Sequence, residues 1–159
     1  KIINYYSKTK FLSEKIVVKT NGCVLRTNFF GYNHVDNRGI INWLLKNKNK
    51  KINGFTNIKF SPLYAETLAE YILKVCNNFK SGTFNLGSNG SISKYLFLKK
   101  IIQKFKLNII CSRKKYCNNI KHMLAKRPKN MSMNNKKFEK YFNLDLPHIN
   151  LEIDKLKLN

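Results

Sequence analysis

The chain is poor in arginine, and this scarcity bears on the meaning of its high positive charge. Its 159 residues carry a formal net charge of +23, yet only 4 of the 31 basic residues are arginines. Arginine suits bidentate contacts with phosphates and bases, whereas lysine acts as a point charge. The lysines are scattered, and together with asparagine and isoleucine they are residues that AT-rich coding favours. The composition therefore disfavours a nucleic-acid-binding protein despite the charge.

Motifs for metal ions and disulfide frameworks are absent as well. Cys23, Cys76, Cys111 and Cys117 form no C-x-x-C pair, and no histidines stand at zinc-finger spacing from them. We therefore expect no metal site and a protein with reduced thiols. Cys23 and Cys76 lie in apolar runs, which predicts that both are small core residues.

The sequence has no apolar run of about 18 residues, the length that a membrane-spanning helix requires. Its first residues show neither a signal-peptide pattern nor an initiator methionine. We therefore expect a cytoplasmic protein without a membrane partner, and we expect further residues upstream of Lys1.

Apolar periodicity predicts alternating helices and strands, which is typical of an α/β fold with a parallel sheet. The polar stretch 46–53 is expected to be a loop, and the pattern of 108–123 favours no particular structure. The strands are predicted at 23–27, 58–60 and 83–86, and the helices at 6–19, 39–46, 65–79, from 91 or 93 to about 106, 134–142 and 151–158.

Tyr6 and Lys10 stand four residues apart in the first predicted helix, so they share one helix face. A free phenol has a pKa of about 10, which is too high for easy proton transfer near neutral pH. An ammonium group fixed beside a phenol stabilises the phenolate and makes that transfer easier. This spacing occurs on many helices, so the pair gains meaning only from the residues that follow it.

Five segments in order carry a resemblance to a known family. They are Y-S-K-T-K-F-L-S-E from Tyr6, L-R-T-N-F from Leu25, S-P-L-Y-A-E-T-L-A from Ser61, G-T-F-N-L-G-S from Gly82, and Arg127-Pro128. The set resembles the carboxyl-terminal half of extended short-chain dehydrogenases/reductases. Within that superfamily it is most similar to dTDP-4-dehydrorhamnose reductases and related nucleotide-sugar reductases.

The resemblance implies the reduction of a nucleotide-linked 4-keto-6-deoxy sugar with NADPH or NADH, between which the sequence does not decide. Tyr6 would donate the proton to the developing alkoxide and lie against the cofactor. Lys10 would hold the ribose hydroxyls of the nicotinamide nucleoside. The resemblance also implies that Thr27 and Asn28 approach the nicotinamide.

The substrate side of the implied site consists of Asn28, Phe29 and Arg127. Phe29 stands where the rhamnose-pathway reductases usually carry a tryptophan that packs on the sugar, so the identity of the sugar stays open. Arg127 would pair with the diphosphate through bidentate hydrogen bonds. The basic surface would help to attract such an anionic ligand.

The glycine-rich dinucleotide fingerprint of the family is absent from the sequence. We therefore expect the carboxyl-terminal portion of a Rossmann-like doubly wound parallel sheet plus a small substrate-binding subdomain. Residues 1–35 would end the NAD(P)-binding domain, and residues 36–159 would mainly bind substrate, with 65–88 returning to the sheet. The cofactor half and the third catalytic residue would precede Lys1, and the chain alone would be inactive.

Two alternatives remain open within the superfamily. One is a nucleotide-sugar epimerase or dehydratase, which shares the tyrosine–lysine pair and retains NAD through turnover. The other is a non-catalytic relative that binds nucleotide sugars. In the intact enzyme we also expect a homodimer.

Overall fold

The computed structural model describes residues 4–35, 38–116 and 128–158. It contains six helices and nine strands in these ranges. The helices are α1 (Tyr5–Lys19), α2 (Ile40–Leu45), α3 (Ala65–Asn77), α4 (Lys94–Lys104), α5 (Lys136–Phe142) and α6 (Ile149–Lys155). The strands are β1 (Cys23–Thr27), β2 (Phe29–Phe30), β3 (Lys51–Phe55), β4 (Lys59–Phe60), β5 (Leu63–Tyr64), β6 (Gly82–Leu86), β7 (Ile92–Ser93), β8 (Ile110–Lys114) and β9 (Asn130–Met131).

Helix α1 begins at a reciprocal cap. The Asn4 side chain accepts a hydrogen bond from the Ser7 backbone N–H at 2.8 Å, and the Ser7 hydroxyl accepts one from the Asn4 N–H at 3.1 Å. The helix ends where Asn21 adopts a left-handed φ of 58°. At 15 residues it is the longest described helix, and none in the described ranges has both the length and the apolar character to cross a membrane.

Most strand pairs are parallel, which confirms the predicted α/β class. β1 pairs with β6 from Cys23↔Gly82 to Thr27↔Leu86, so the carboxyl ends of these two strands coincide. β2 pairs with β5, and β3 pairs with β8, both in parallel. β4 lies between β9, which is parallel to it, and β7, which is antiparallel.

The prediction of a loop over 46–53 is wrong at its carboxyl end, because β3 begins at Lys51. Lysine and asparagine alternate there with the buried Ile52 and Gly54, and this polar content concealed the strand. A Cβ at Gly54 would come within 2.8 Å of the Tyr95 Cα, so the close approach of α4 requires glycine. The partner strand β8 occupies part of 108–123, the stretch whose pattern favoured no structure.

Several element boundaries differ from the predicted ones by one to three residues. The last helix begins at Ile149 rather than at Leu151, because the His148 Nδ1 accepts a hydrogen bond from the Asn150 N–H at 3.3 Å and caps it. A short strand that was not predicted follows the strand 23–27, because Phe29 and Phe30 pair with β5.

The core consists of two aromatic clusters. In the larger one Phe97 is fully buried, and its ring meets those of Phe30 and Phe60 edge to face, at centroid distances of 4.9 and 5.1 Å. In the second cluster Phe84 packs against Phe142 at 5.1 Å, under α3 and α5. The larger cluster joins β2, β4 and α4, whereas the second covers one face of the β1–β6 pair.

The cysteines differ from one another in burial. Cys23 packs at the edge of the second cluster, and burial raises the pKa of its thiol. Cys76 is exposed on α3, so the prediction of a core residue is wrong there. Its helix turns this position away from the cluster, although the neighbouring residues in the sequence are apolar. Within the described ranges no group of histidine, cysteine and acidic side chains is arranged to hold a metal ion. Cys117 lies outside those ranges.

Candidate functional site

The first two turns of α1 bring Tyr6 and Lys10 together. The Lys10 Nζ lies 5.8 Å from the centroid of the Tyr6 ring, and 71% of Tyr6 is exposed. The Thr9 hydroxyl donates to the Tyr6 carbonyl oxygen at 2.9 Å, within the same turn. The helix therefore presents a phenol and an ammonium side by side on an open face, where they can act on a ligand.

A bidentate ion pair joins α1 to β1. The Arg26 Nε and Nη2 donate to the two Glu14 carboxylate oxygens at 2.9 and 2.5 Å. This hydrogen bonding lowers the pKa of Glu14 and raises the pKa of Arg26. Sequence reasoning missed the pair because its members lie 12 residues apart on different elements.

The two phenylalanines that follow Asn28 differ in exposure. Phe29 is 61% exposed, whereas Phe30 is buried in the larger cluster. The Asn28 carbonyl accepts from the Leu63 N–H at 3.0 Å and from the Thr27 hydroxyl at 3.4 Å. These contacts hold Thr27, Asn28 and Phe29 together at the carboxyl end of the parallel pair, the edge where open α/β sheets bind ligands.

The Asn28 side chain reaches a different sheet. Its Nδ2 donates to the Met131 carbonyl oxygen in β9 at 3.4 Å. Its Oδ1 is buried and has no hydrogen-bond partner in the part of the chain that the structure describes. One side chain thus joins the end of β1 to the small sheet that β4, β7 and β9 form.

The carboxyl end of β6 is closed by close backbone packing. A Cβ at Gly87 would lie 2.6 Å from the Ser61 carbonyl oxygen, and this oxygen accepts from the Ser88 N–H at 3.1 Å. The Ser61 hydroxyl accepts from the Met133 N–H at 2.9 Å. Ser88 is fully buried, and its hydroxyl has no partner among the described residues.

Asn135 organises this edge, and no local sequence signal marks it. It is 4% exposed, and its Nδ2 donates to the Gly87 carbonyl at 2.9 Å while its Oδ1 accepts from the Gly87 N–H at 3.2 Å. The same Nδ2 donates to the Asn89 Oδ1 at 3.2 Å. Asn135 therefore locks the loop after β6 to the segment between β9 and α5.

Arg127 lies outside the described residues. The description resumes at Pro128, and the Lys129 carbonyl accepts from the Lys59 N–H at 2.9 Å before β9 begins. The structure thus describes the strand that follows the predicted phosphate-binding residue, and the role of Arg127 itself stays a prediction.

A cleft of about 420 Å³ lies beyond β2, and sequence reasoning did not predict it. The Tyr64 hydroxyl donates there to a Glu66 carboxylate oxygen at 2.9 Å. Burial and this bond raise the pKa of Tyr64. The His34 ring meets Tyr32 edge to face at 4.6 Å. None of the five predicted site residues that the structure describes lines this cleft, whose walls are Gly31, Tyr32, His34, Tyr64, Ala65, Glu66 and Lys157.

Solved structures share this fold. A dTDP-4-dehydrorhamnose reductase from Bacillus anthracis in complex with NADP superposes with a TM-score of 0.85 at 19% identity, over 98% of this chain and 55% of that one. A hypothetical dTDP-4-dehydrorhamnose reductase from Sulfolobus tokodaii gives 0.79 at 24% identity, over 99% and 55%. A dTDP-glucose 4,6-dehydratase from Bacillus anthracis in complex with NAD gives 0.67 at 16% identity, over 95% and 51%.

These matches confirm the predicted Rossmann-like α/β class. The chain spans about half the length of the solved structures that it matches. No curated protein matches the sequence. A family model described as the RmlD substrate binding domain matches residues 2–157, which is nearly the whole chain. The chain therefore belongs to the RmlD substrate-binding-domain family.

Proposed function

We propose that the chain supplies the substrate-binding part of an NAD(P)-dependent reductase that acts on nucleotide-linked 4-keto-6-deoxy sugars. The observation that carries this proposal is the order in which the candidate site residues follow one another along the chain. The Tyr6–Lys10 pair lies on the helix that leads into β1, and Thr27, Asn28 and Phe29 follow at the carboxyl end of that strand. The match of the substrate-binding family model over residues 2–157 supports the same function.

The chain's own residues would act as follows. The Tyr6 hydroxyl donates a proton to the oxygen of the carbonyl under reduction, and its 71% exposure leaves it open to a ligand. Lys10, which lies over the phenol ring, stabilises the phenolate that remains and holds ribose hydroxyls. Bound NADPH or NADH would supply the hydride. Phe29 and Arg127 bind the sugar and the diphosphate.

The cofactor half of the site lies on residues other than these 159 in our proposal. Helix α1 has no buried residue, and Leu12 and Ile16 are 49% and 66% exposed. Among the described strands β1 pairs only with β6, so one of its edges stays open. Parallel sheets are normally covered on both faces. The exposed side of α1 and the open edge of β1 therefore suit a further β–α unit that carries the glycine-rich turn.

We also propose a division of the chain into two parts. Residues 1–35 complete the cofactor-binding domain, and residues 36–159 mainly bind the nucleotide sugar, with 65–88 returning to the β1–β6 sheet. The chain alone would neither bind NADPH tightly nor turn over. Titration calorimetry with NADPH tests this, and tight binding by the 159-residue chain would contradict it.

The test of the function is an assay of the chain joined to a cofactor-binding half. We expect NADPH oxidation with a dTDP-4-keto-6-deoxy sugar, at one NADPH per sugar reduced. Tyr6→Phe removes the proton donor and should lower kcat by about 10²- to 10⁴-fold. Tyr5→Phe is the matched control, since Tyr5 is the adjacent residue and 87% exposed, and it should keep full activity.

An epimerase or dehydratase is the second candidate, since the fold of the dTDP-glucose 4,6-dehydratase also matches. Such an enzyme would convert the sugar without net NADPH consumption. A non-catalytic binding protein would bind the nucleotide sugar equally well with Tyr6 or with Phe at this position. Absence of NADPH oxidation with every 4-keto sugar would reject the reductase proposal.

A further inference from the structure

Three residues of helix α1 stand in one row, four positions apart: Tyr6, Lys10 and Glu14. Side chains at this spacing are neighbours on the helix surface. The Lys10 ammonium therefore has two possible partners one turn away, a phenol on one side and a carboxylate on the other. Lysine and glutamate at this spacing attract each other, so a preference for the phenol requires a physical cause.

The structure directs the ammonium to the phenol. The Lys10 Nζ lies 5.8 Å from the centroid of the Tyr6 ring. The ion pairs found in the ranges 4–35, 38–116 and 128–158 do not include Lys10. The positive charge therefore lies on the side of the helix row where it stabilises a phenolate.

Arg26 of β1 occupies the carboxylate instead. Its Nε and Nη2 donate to the two Glu14 oxygens at 2.9 and 2.5 Å, so both oxygens are turned towards the strand. The Glu14 side chain is 19% exposed, and it lies in the groove that α1 forms with β1 and with Thr83 of β6. Because the guanidinium is a planar fork, it holds both oxygens at once, which the point charge of an ammonium does not do.

Few other charges face Glu14. Of the four positions one turn away from it on α1, only position 10 carries a charge. Lys15 and Lys19 line the same groove, but the Lys15 Nζ lies 4.8 Å from the centroid of the Phe11 ring. Lys19 lies five positions from Glu14, and strand β6 has no charged residue. Without the guanidinium, Lys10 would be the best-placed cation for the carboxylate.

The Glu14 carboxylate is charged at neutral pH with or without its partner. The hydrogen bond from Arg26 lowers the pKa of Glu14, and an unpaired glutamate has an ordinary pKa of about 4.3. A carboxylate freed from the guanidinium would therefore compete with Tyr6 for the same ammonium.

We propose that Arg26 is a positioning residue for the Tyr6–Lys10 pair: by holding the Glu14 carboxylate against β1, it keeps the Lys10 ammonium beside the phenol. Loss of Arg26 would let the ammonium move from the turn of Tyr6 to the turn of Glu14. The placement of the ammonium does not depend on the proposed function, whereas its effect on proton transfer rests on that function.

Nuclear Overhauser spectroscopy on the 159-residue chain tests the placement of the ammonium. In the unaltered chain we expect a contact between the Lys10 ε-methylene protons and the Tyr6 ring protons. Arg26→Met should reduce its intensity by about half or more, because a lysine–glutamate pair at this spacing is favoured about 1.4- to 2.3-fold. Glu14→Gln breaks the same ion pair but removes the competing charge, so it should leave the contact unchanged.

The double variant is the matched control. Arg26→Met combined with Glu14→Gln should restore the contact to its unaltered intensity. If the ion pair were purely structural, both single variants would change the contact equally and the double variant would not recover it. That pattern would overturn the inference, and so would an unchanged contact in Arg26→Met. Arg26→Lys, which keeps a charge without the fork, should reduce the contact by less than Arg26→Met does.

The pH dependence of kcat tests the effect on proton transfer, in the chain joined to a cofactor-binding half. The phenol must be protonated to donate, so kcat falls at alkaline pH. In Arg26→Met this alkaline limb should move up by about 0.5–1 unit, a quarter to a half of the effect of one charge at about 6 Å and an effective dielectric constant of about 20. At pH 7 kcat should fall about 2- to 5-fold, since the phenol is then a weaker acid. Glu14→Gln and the double variant should keep the unaltered limb.

The outcomes separate this inference from the proposed function. An unaltered joined enzyme that oxidises no NADPH with any 4-keto sugar would overturn the proposed function and the effect on proton transfer, while the proton contact would still decide the placement of the ammonium. An active enzyme whose alkaline limb stays in place in Arg26→Met would overturn the effect on proton transfer and leave the reductase standing. An equal shift of the limb in Glu14→Gln would overturn that effect as well.

Discussion

Helices α1 and α3 cover opposite faces of the β1–β6 pair, and they do so in different ways. Helix α3 buries Thr67, Leu68, Tyr71 and Val75, and it packs into the second aromatic cluster. Helix α1 buries no residue, and its attachment to the sheet relies on the Glu14–Arg26 ion pair. One helix is held by core packing and the other mainly by polar contacts.

The two faces of the sheet also differ in the residues that they present to these helices. Under α3 the sheet presents Phe84 and Leu86, which are almost fully buried. Under α1 it presents Arg26 and Thr83, which line a shallow groove with Glu14. The apolar residues Leu12 and Ile16 of α1 are exposed, so the helix with the candidate catalytic pair has apolar side chains that are unpartnered among the described residues.

The largest expected effect comes from deleting a core ring on the α3 side. Phe84→Ala should lower the free energy of unfolding by about 3–5 kcal/mol, because Phe84 is 1% exposed and packs on Phe142. Phe11→Ala on α1 is the matched control, since Phe11 is 37% exposed and should cost about 1 kcal/mol or less. Urea unfolding measures both, and equal losses would remove the contrast between the two helices.

A buried carboxylate on the α3 side should give the next effect. Glu152 in α6 is fully buried, and it accepts from the Tyr64 N–H at 2.7 Å and from the Thr67 hydroxyl at 3.2 Å at the start of α3. Glu152→Gln should cost about 1.5–3 kcal/mol, because the amide keeps only one acceptor oxygen and loses the ion pair with Lys155 at 3.0 Å. Thermal unfolding measures it, with the exposed Glu70→Gln as control. A neutral result would mean that α3 does not depend on this contact.

The smallest expected effect is a pH dependence on the α1 side. The Arg26 guanidinium lowers the pKa of Glu14, so this pair stabilises the folded chain at neutral pH and the contribution is lost as the pH falls through the lowered pKa. Since half of the Arg26 side chain is exposed, the contribution is about 1 kcal/mol or less. Glu14→Gln should therefore be less stable than the unaltered chain at pH 7 and equal to it at strongly acidic pH. A difference that persists in acid would contradict this.

Local patterns predicted the elements that depend on near neighbours. The predicted strand 23–27 matches β1, and the four-residue spacing of Tyr6 and Lys10 placed both on one face of α1. Strands β3 and β8 were missed, because their pairing joins residues far apart in the sequence. The same reason explains why Asn135 carried no signal, since its partners lie in a loop 46 to 48 residues away.

By itself the sequence determined the class of fold, the helix of the candidate catalytic pair and strand β1, because periodicity and spacing act over short stretches of the chain. The tertiary structure alone decided that Asn28 bonds Met131 and leaves its oxygen unpaired, and that Glu14 meets Arg26. It also decided which helix carries the core and which stays uncovered. Such properties arise from contacts between distant segments, which no local pattern encodes.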